Sequence, residues 1–241
     1  MHFPFQKKKT AAVLLAGGCG QRMAAPAGMT KQRMLLCGRP VLAHTALAFD
    51  ACPEIDGMVA VVRAEEEAEM RRLFASLSLH KPVYFAKGGE TRQESAFAGM
   101  EAVPKGYAYI AIHDGCRCLI TPEQIGEVVR MAKRHRAACA GTPATDTVKE
   151  VSPAGKVISS PDRTRYWLAQ TPQVFDLKLY RCVAYTARKK GLTGTDDSML
   201  LEQFGQTVYM VDCGRNNLKL TTPEDLVPAE AILAARREKH T

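Results

Sequence analysis

Three glycines and two cations stand close together near the start of the chain: Gly17, Gly18 and Gly20, then Arg22 and Lys31. Glycines let the backbone turn with its N–H groups facing outward, and those amides carry partial positive charge toward an anion. Two full charges in the same neighbourhood make the stretch a device for holding phosphate. A second candidate ligand loop is Gly88-Gly89-Glu90-Thr91-Arg92-Gln93-Glu94-Ser95, whose bland reading is a turn leading into a helix start at Thr91 or Ser95. The most telling carboxylate is Asp114, which closes the hydrophobic run Tyr107 to His113 and is followed by Arg117. An acid at the end of such a run is badly placed for packing and well placed to hold a divalent metal or a polyol hydroxyl. His113 beside it reads as a core histidine rather than a base.

The elements that must position these residues alternate along the chain. Ala11 to Ala16 is a buried strand, Val41 to Phe49 a helix, Gly57 to Val62 a second strand, and Glu65 to Leu77 a charged amphipathic helix. Pro82 to Ala86 and Tyr107 to His113 follow as further strands. Short connections between alternating strands and helices predict a mostly parallel sheet with right-handed crossovers, and ligands in such sheets sit at the carboxyl ends of the strands. Both glycine loops and Asp114 are then delivered to one edge. Thr121-Pro-Glu-Gln starts a helix running to about His135, with a threonine N-cap and proline at the first position. Ala137 to Gly141 is another strand, Asp176 to Lys190 a helix that Gly191 ends, and Gln206 to Val211 the last strand. Residues 142–170 depart from this rhythm: polar, proline-containing, and alternating around Val148, Val151 and Val157-Ile158 like a protruding hairpin. A hairpin with so little core needs a partner surface, which points to dimerisation. The expectation is one α/β, Rossmann-like domain over the whole chain, its mostly parallel sheet flanked by helices, with a β-arm at 142–170.

Two common phosphate motifs do not fit the first loop. It lacks the Gly-Lys-Ser/Thr of a Walker A sequence, and Met23 stands where a dinucleotide fingerprint needs its third glycine. The turn Ala16-Gly-Gly-Cys-Gly-Gln-Arg-Met23 instead resembles that of the nucleotidyltransferases that make CDP-alcohols, above all the 2-C-methyl-D-erythritol 4-phosphate cytidylyltransferase family. The resemblance runs in order over roughly residues 12 to 235, through Gly88 to Ser95, His113-Asp-Gly-Cys-Arg-Cys118, Asp146-Thr147, Asp162-Arg163, Thr171-Pro172-Gln173, Thr193-Gly-Thr-Asp-Asp197 and Asn216-Asn-Leu-Lys219 to Leu226. Departures are Thr30 where the family has proline, a slightly longer Arg22-to-Lys31 segment, Gly115, Cys116 and Cys118, and Asn216 where it often has aspartate.

The resemblance implies transfer of a cytidylyl group from CTP to 2-C-methyl-D-erythritol 4-phosphate, with pyrophosphate leaving and Mg²⁺ as the divalent cation. It implies catalytic cations at Arg22, Lys31 and Lys219, and nucleotide contacts at Ala16, Gly17, Gly18, Gly20, Gly88, Gly89, Glu90, Arg92 and Ser95. Substrate contacts fall on Asp114, Arg117, Thr147, Arg163, Thr171 and Thr195, with Asp114 also at the metal. The arm is expected to cross a homodimer and bring Thr147 and Arg163 to the neighbour's site. Ribitol 5-phosphate cytidylyltransferases share these motifs and stay open as an alternative, as does a nucleotide-binding regulator without catalysis.

Composition narrows the classes further. Of 241 residues, 46% are hydrophobic and 24% charged, and no apolar run approaches the ~20 residues of a membrane span. The first ten residues lack the apolar core of a secretory signal, so a cytoplasmic protein is expected. The net charge of +8 is dispersed along helices such as Arg130 to Arg136, which suits small phosphorylated substrates better than nucleic acid. Eight cysteines without a Cys-x-x-Cys pair read as reduced, mostly buried thiols, with Cys116 and Cys118 flanking Arg117 as the pair whose oxidation could inhibit.

Overall fold

The computed structural model describes residues 8–18, 30 and 32–238. Among these, seven strands form one sheet: β1 (Lys9–Leu15), β4 (Gly57–Val62), β5 (Val83–Lys87), β6 (Tyr107–Asp114), β7 (Ala137–Pro143), β10 (Trp167–Asp176) and β11 (Tyr209–Asp212). Their spatial order is β11-β7-β10-β6-β1-β4-β5. Two two-stranded ribbons complete the set, β2 (Leu35–Leu36) with β3 (Arg39–Pro40), and β8 (Glu150–Val151) with β9 (Val157–Ser159). The sheet is parallel except for β10, which runs antiparallel to both β6 and β7. The expected architecture therefore holds, with one reversed strand in its middle.

The sheet is covered on both faces, so its strands read as nearly continuous apolar runs. All six residues of β4 are buried. Alternate side chains go to opposite layers. Ala12, Leu14, Met58, Ala60 and Ala111 pack with α1 (Val41–Ala51), α2 (Glu67–Ser76) and α4 (Pro122–His135). Ala11, Val13, Val59, Val61, Ile110 and Ile112 pack with α3 (Arg92–Glu101), α5 (Leu177–Lys190) and α6 (Asp197–Gln203). The last helix, α7 (Leu226–Glu238), joins a smaller cluster with Leu36, Val41, Cys116, Cys118 and Leu220.

The helix ends carry the signals expected of them. Thr121 caps α4, its hydroxyl accepting from Gln124 N while the Gln124 side chain accepts from Thr121 N, and Pro122 is the first helical residue. Gly191 closes α5 with φ of 64°, the left-handed geometry that favours glycine. Both ends of the segment 142–170 belong to the main sheet. Thr142 and Pro143 pair with Leu168 and Trp167 inside the main sheet, so the hairpin proper lies between these pairs. It springs from the carboxyl edge, and Val151, Val157, Ile158, Tyr166 and Leu168 on or beside it are exposed.

Gly99 sets how closely α3 lies on the sheet. A Cβ there would overlap the side chains of Val13 and Val61. Gly99→Val should overpack this contact and lower unfolding stability by about 2–3 kcal/mol, measured as a drop in the urea midpoint with an unchanged slope.

Candidate active site

The carboxyl ends of β1, β4, β5 and β6 are tied edge to edge by backbone bonds that continue past the strands. Ala16 N donates to Val61 O at 2.8 Å, Gly88 N to Val62 O at 2.8 Å, and Gly115 N to Leu15 O at 2.9 Å. A basin of about 550 Å³ opens above this edge, lined by Gly17, Gly18, Gln32, Arg63, Glu65, Gly88, Gly89, Glu90, Arg92, Ser95, Asp114, Gly115 and Lys219 among others. It lies where the chain leaves β1 in one direction for β4 and is flanked by β6 on the other, the place where open α/β sheets bind ligands.

The two glycine segments meet in this basin. An added Cβ on Gly17 would touch Gly88 Cα and Ser95 Oγ, each at 3.8 Å. Ser95 fastens the second loop from below, its hydroxyl accepting from Gly89 N at 3.2 Å. Thr91, and not Ser95, is the N-cap of α3, in a capping box with Glu94. The turn-and-cap reading holds at Thr91, and the same segment places Gly88, Gly89 and Glu90 on the basin wall.

Asp114 forms the floor. It is 8% exposed, and burial alone would push its carboxyl up. The Arg92 guanidinium, Lys219 and Arg117 outweigh that and hold it well below the usual carboxylate range. Arg92 Nε donates to Oδ1 at 3.0 Å and Lys219 Nζ to Oδ2 at 2.7 Å, while Arg117 Nε stands 3.9 Å from Oδ2. Arg92 reaches a second carboxylate with Nη1, Asp197 Oδ2 at 2.7 Å. Burial acts to lower the Arg92 guanidinium, but Asp197 and Asp114 raise it above its ordinary value.

Below Asp114 runs a buried polar chain. Thr171 Oγ1 accepts from Asp114 N at 3.0 Å and lies 3.1 Å from His113 Nδ1, and His113 Nε2 lies 3.1 Å from the Arg117 carbonyl. A carbonyl can only accept, so Nε2 carries the proton, Nδ1 accepts from the threonine hydroxyl, and the ring is neutral. Burial drives the His113 pKa down to about 3, in keeping with a core histidine.

The segment bearing Lys219 is strapped onto this turn. Leu220 N donates to Cys116 O at 2.9 Å, Arg117 Nη1 to Asn217 O at 2.8 Å, and Asn217 Nδ2 to Gln170 Oε1 at 2.8 Å and Thr171 O at 2.9 Å. The register of β10 on β7 breaks between Ala169 and Gln173, which frees Gln170 and Thr171 for these bonds. Gly115 fits because an added Cβ would stand 2.9 Å from Leu15 O and 3.0 Å from Leu42 Cδ1. The departures at 115–118 leave Asp114 at the basin floor.

The expected site residues divide into three groups. Gly17, Gly18, Gly88, Gly89, Glu90, Arg92, Ser95, Asp114 and Lys219 line the basin, with Ala16 at the end of β1 beneath it. Gly20, Arg22 and Lys31 lie outside the described residues. The others are not on the basin wall of this chain. Arg117 is turned toward Asn217 O, and Thr171 is 4% exposed under Asp114. Thr195 is exposed, its hydroxyl against Met199 Sδ, and Thr147 and Arg163 are exposed on the hairpin segment, Arg163 donating to Thr145 O. Sequence reading passed over Tyr180, Gln170, Gln173 and Arg63. Only Gln173 sat in a quoted motif, and its partners come from distant segments.

The family model described as IspD, 2-C-methyl-D-erythritol 4-phosphate cytidylyltransferase, matches residues 10–235. A 2-C-methyl-D-erythritol 4-phosphate cytidylyltransferase of Desulforamulus reducens is 40% identical over 226 residues, covering 93% of this chain and 96% of that one. One of Acaryochloris marina is 38% identical over 226 residues, covering 94% of each. The crystal structure of 4-diphosphocytidyl-2C-methyl-D-erythritol synthase from Anaerococcus prevotii superposes with a TM-score of 0.84 at 28% identity, over 94% of this chain and 99% of that one.

Burial raises the thiols of Cys118 and Cys213 to about 12 and that of Cys139 to about 11. At pH 8 they are almost wholly protonated and poor nucleophiles. Iodoacetamide on the folded protein should label exposed Cys182 and leave these three unmodified by peptide mass mapping, with labelling of all three only after denaturation.

Proposed function

We propose residue roles for a chain that belongs to the 2-C-methyl-D-erythritol 4-phosphate cytidylyltransferase family, with the basin over β1, β4, β5 and β6 as the place where its two substrates meet. The protein is a nucleotidyltransferase that moves a cytidylyl group from CTP to 2-C-methyl-D-erythritol 4-phosphate in the non-mevalonate route to isoprenoid precursors. The observation that carries the site assignment is Asp114, a buried carboxylate with Lys219 and Arg92 on its two oxygens, at the base of a glycine-lined cleft.

A phosphate oxygen of the acceptor attacks the α-phosphorus of CTP, the bond from that phosphorus to the bridging oxygen breaks, and pyrophosphate leaves with the electron pair. Such a reaction asks the protein for positioning and charge stabilisation rather than covalent chemistry. The exposed amides of Gly17, Gly18, Gly88 and Gly89 receive the nucleotide together with Ala16, Gly20, Glu90, Arg92 and Ser95. Lys219, with Arg22 and Lys31, spreads the charge that builds on the phosphates. Asp114 orients the acceptor's hydroxyls, and Arg117 and Thr171 hold Asp114 from behind.

The residues fit a divalent cation of the Mg²⁺ type brought in with the triphosphate. Among the described residues no group of three His, Cys, Asp or Glu side chains is gathered to bind a metal. Mg²⁺ needs only one or two carboxylates when substrate phosphates supply the remaining ligands. Asp114 is the carboxylate of the basin floor and would hold it, and the ion would neutralise phosphate charge there.

Thr147 and Arg163 lie on the hairpin away from their own basin, with exposed apolar side chains nearby, an arrangement suited to a homodimer in which each arm serves the other site. Among the described residues no helix is long and apolar enough to cross a membrane, and we place the enzyme in the cytoplasm.

Pyrophosphate release with CTP and Mg²⁺ should proceed with 2-C-methyl-D-erythritol 4-phosphate and not with ribitol 5-phosphate, and Lys219→Ala should slow it by about 10²-fold. Near-native turnover of that variant would refute the role of Lys219. Light scattering should report a dimer, and a fully active monomer would refute the shared site.

A further inference from the structure

We propose that Asp197 and Tyr180 are positioning residues for the transfer, acting through Arg92 to fix the carboxylate of Asp114 against Lys219. The inference rests on the reading of Asp114 as the substrate-orienting acid.

Asp197 is 1% exposed and does not line the basin, so it cannot touch substrate. A carboxylate withdrawn from water to that degree is costly unless it is fully engaged. Its engagement runs toward the site: Oδ2 accepts from Arg92 Nη1 at 2.7 Å and Oδ1 from the Tyr180 hydroxyl at 2.6 Å. Helix capping does not account for it, because Asp196 is the N-cap of α6 and accepts from Met199 N at 2.8 Å. Gln173 holds the backbone at this point, its Oε1 accepting from Asp197 N at 2.9 Å and Ser198 N at 3.1 Å.

Three elements thus meet at Asp197 of α6: α3 brings Arg92 and α5 brings Tyr180 to its carboxylate, and β10 brings Gln173 to its backbone. A guanidinium is planar, so pinning Nη1 on Asp197 fixes the direction in which Nε meets Asp114 Oδ1. Lys219 on the other oxygen is a half-exposed, flexible cation and sets no such direction by itself. Tyr180 is almost wholly buried, and burial together with Asp197 keeps its hydroxyl protonated as a donor. Misplacement of reacting groups by about 1 Å costs on the order of 10²-fold in rate, so a relay of this kind is felt in turnover more than in binding.

The test is a double-mutant cycle on the full-length protein. Asp197→Asn keeps the shape and removes the charge, and should lower kcat by about 10- to 100-fold while CTP affinity by calorimetry stays within about threefold. In an Asp114→Asn background the same substitution should cost nothing further, because the group it positions is already gone. Additive losses would show that Asp197 serves folding alone and overturn the inference. Wild-type turnover of Asp197→Asn beside a crippled Asp114→Asn would overturn it too, and leave the reading of Asp114 intact. Near-native turnover of Asp114→Asn would instead overturn that reading. Should circular dichroism show Asp197→Asn unfolded, Tyr180→Phe carries the test, with an expected loss of about 3- to 10-fold in kcat that vanishes in the Asp114→Asn background.

Discussion

The structure turns on keeping one buried carboxylate ionised. Asp114 stands at the end of a central strand, where apolar packing on both sheet faces would favour its neutral form. Only cations brought within hydrogen-bond reach can reverse that preference, and they cannot come from its own strand. Arg92 arrives from the first turn of the helix after β5, Lys219 from the segment after β11, and Arg117 from the turn after β6. The site is the meeting point of three separate parts of the chain.

That requirement explains features that otherwise look incidental. The polar side chains of Gln170, Thr171 and Asn217 are buried beside the sheet, where an unsatisfied group would be destabilising. Each is bonded in a way that holds the Lys219 segment or the backbone of Asp114. The neutral His113 belongs to the same support, linking the Arg117 carbonyl to the Thr171 hydroxyl without adding a charge. With Arg92, Arg117 and Lys219 facing Asp114 and Asp197, the cluster retains an excess of positive charge, which favours anionic ligands in the basin above it.

The reversed strand β10 is the other consequence. Coming back between β6 and β7, it places Thr171 against Asp114 and Gln173 against the start of α6. It also begins at the carboxyl edge, so the segment between β7 and β10 leaves the sheet at the same edge as the basin. The two-stranded piece at its tip is too small to bury its own apolar side chains.

Local sequence determined the strands, the caps and the candidate loops, because those depend on near neighbours. The apolar runs of β1, β4 and β6 announce strands covered on both faces, Thr121-Pro-Glu-Gln announces a helix start, and Gly88 to Ser95 and Asp114 stand at strand ends where a parallel sheet presents ligands. The resemblance of ordered motifs supplied the family, which the comparisons then showed. The second acid of Thr193-Gly-Thr-Asp-Asp197 stands at a helix start, which attracts acids whatever else they do, so its local sequence carries no sign of a further role. Its partnership with an arginine more than a hundred positions away, and the narrowing of the arm by pairs between Thr142 and Leu168, were decided only by tertiary structure. Contacts between distant segments depend on where the sheet order and crossovers bring them, and no spacing within either segment encodes that distance.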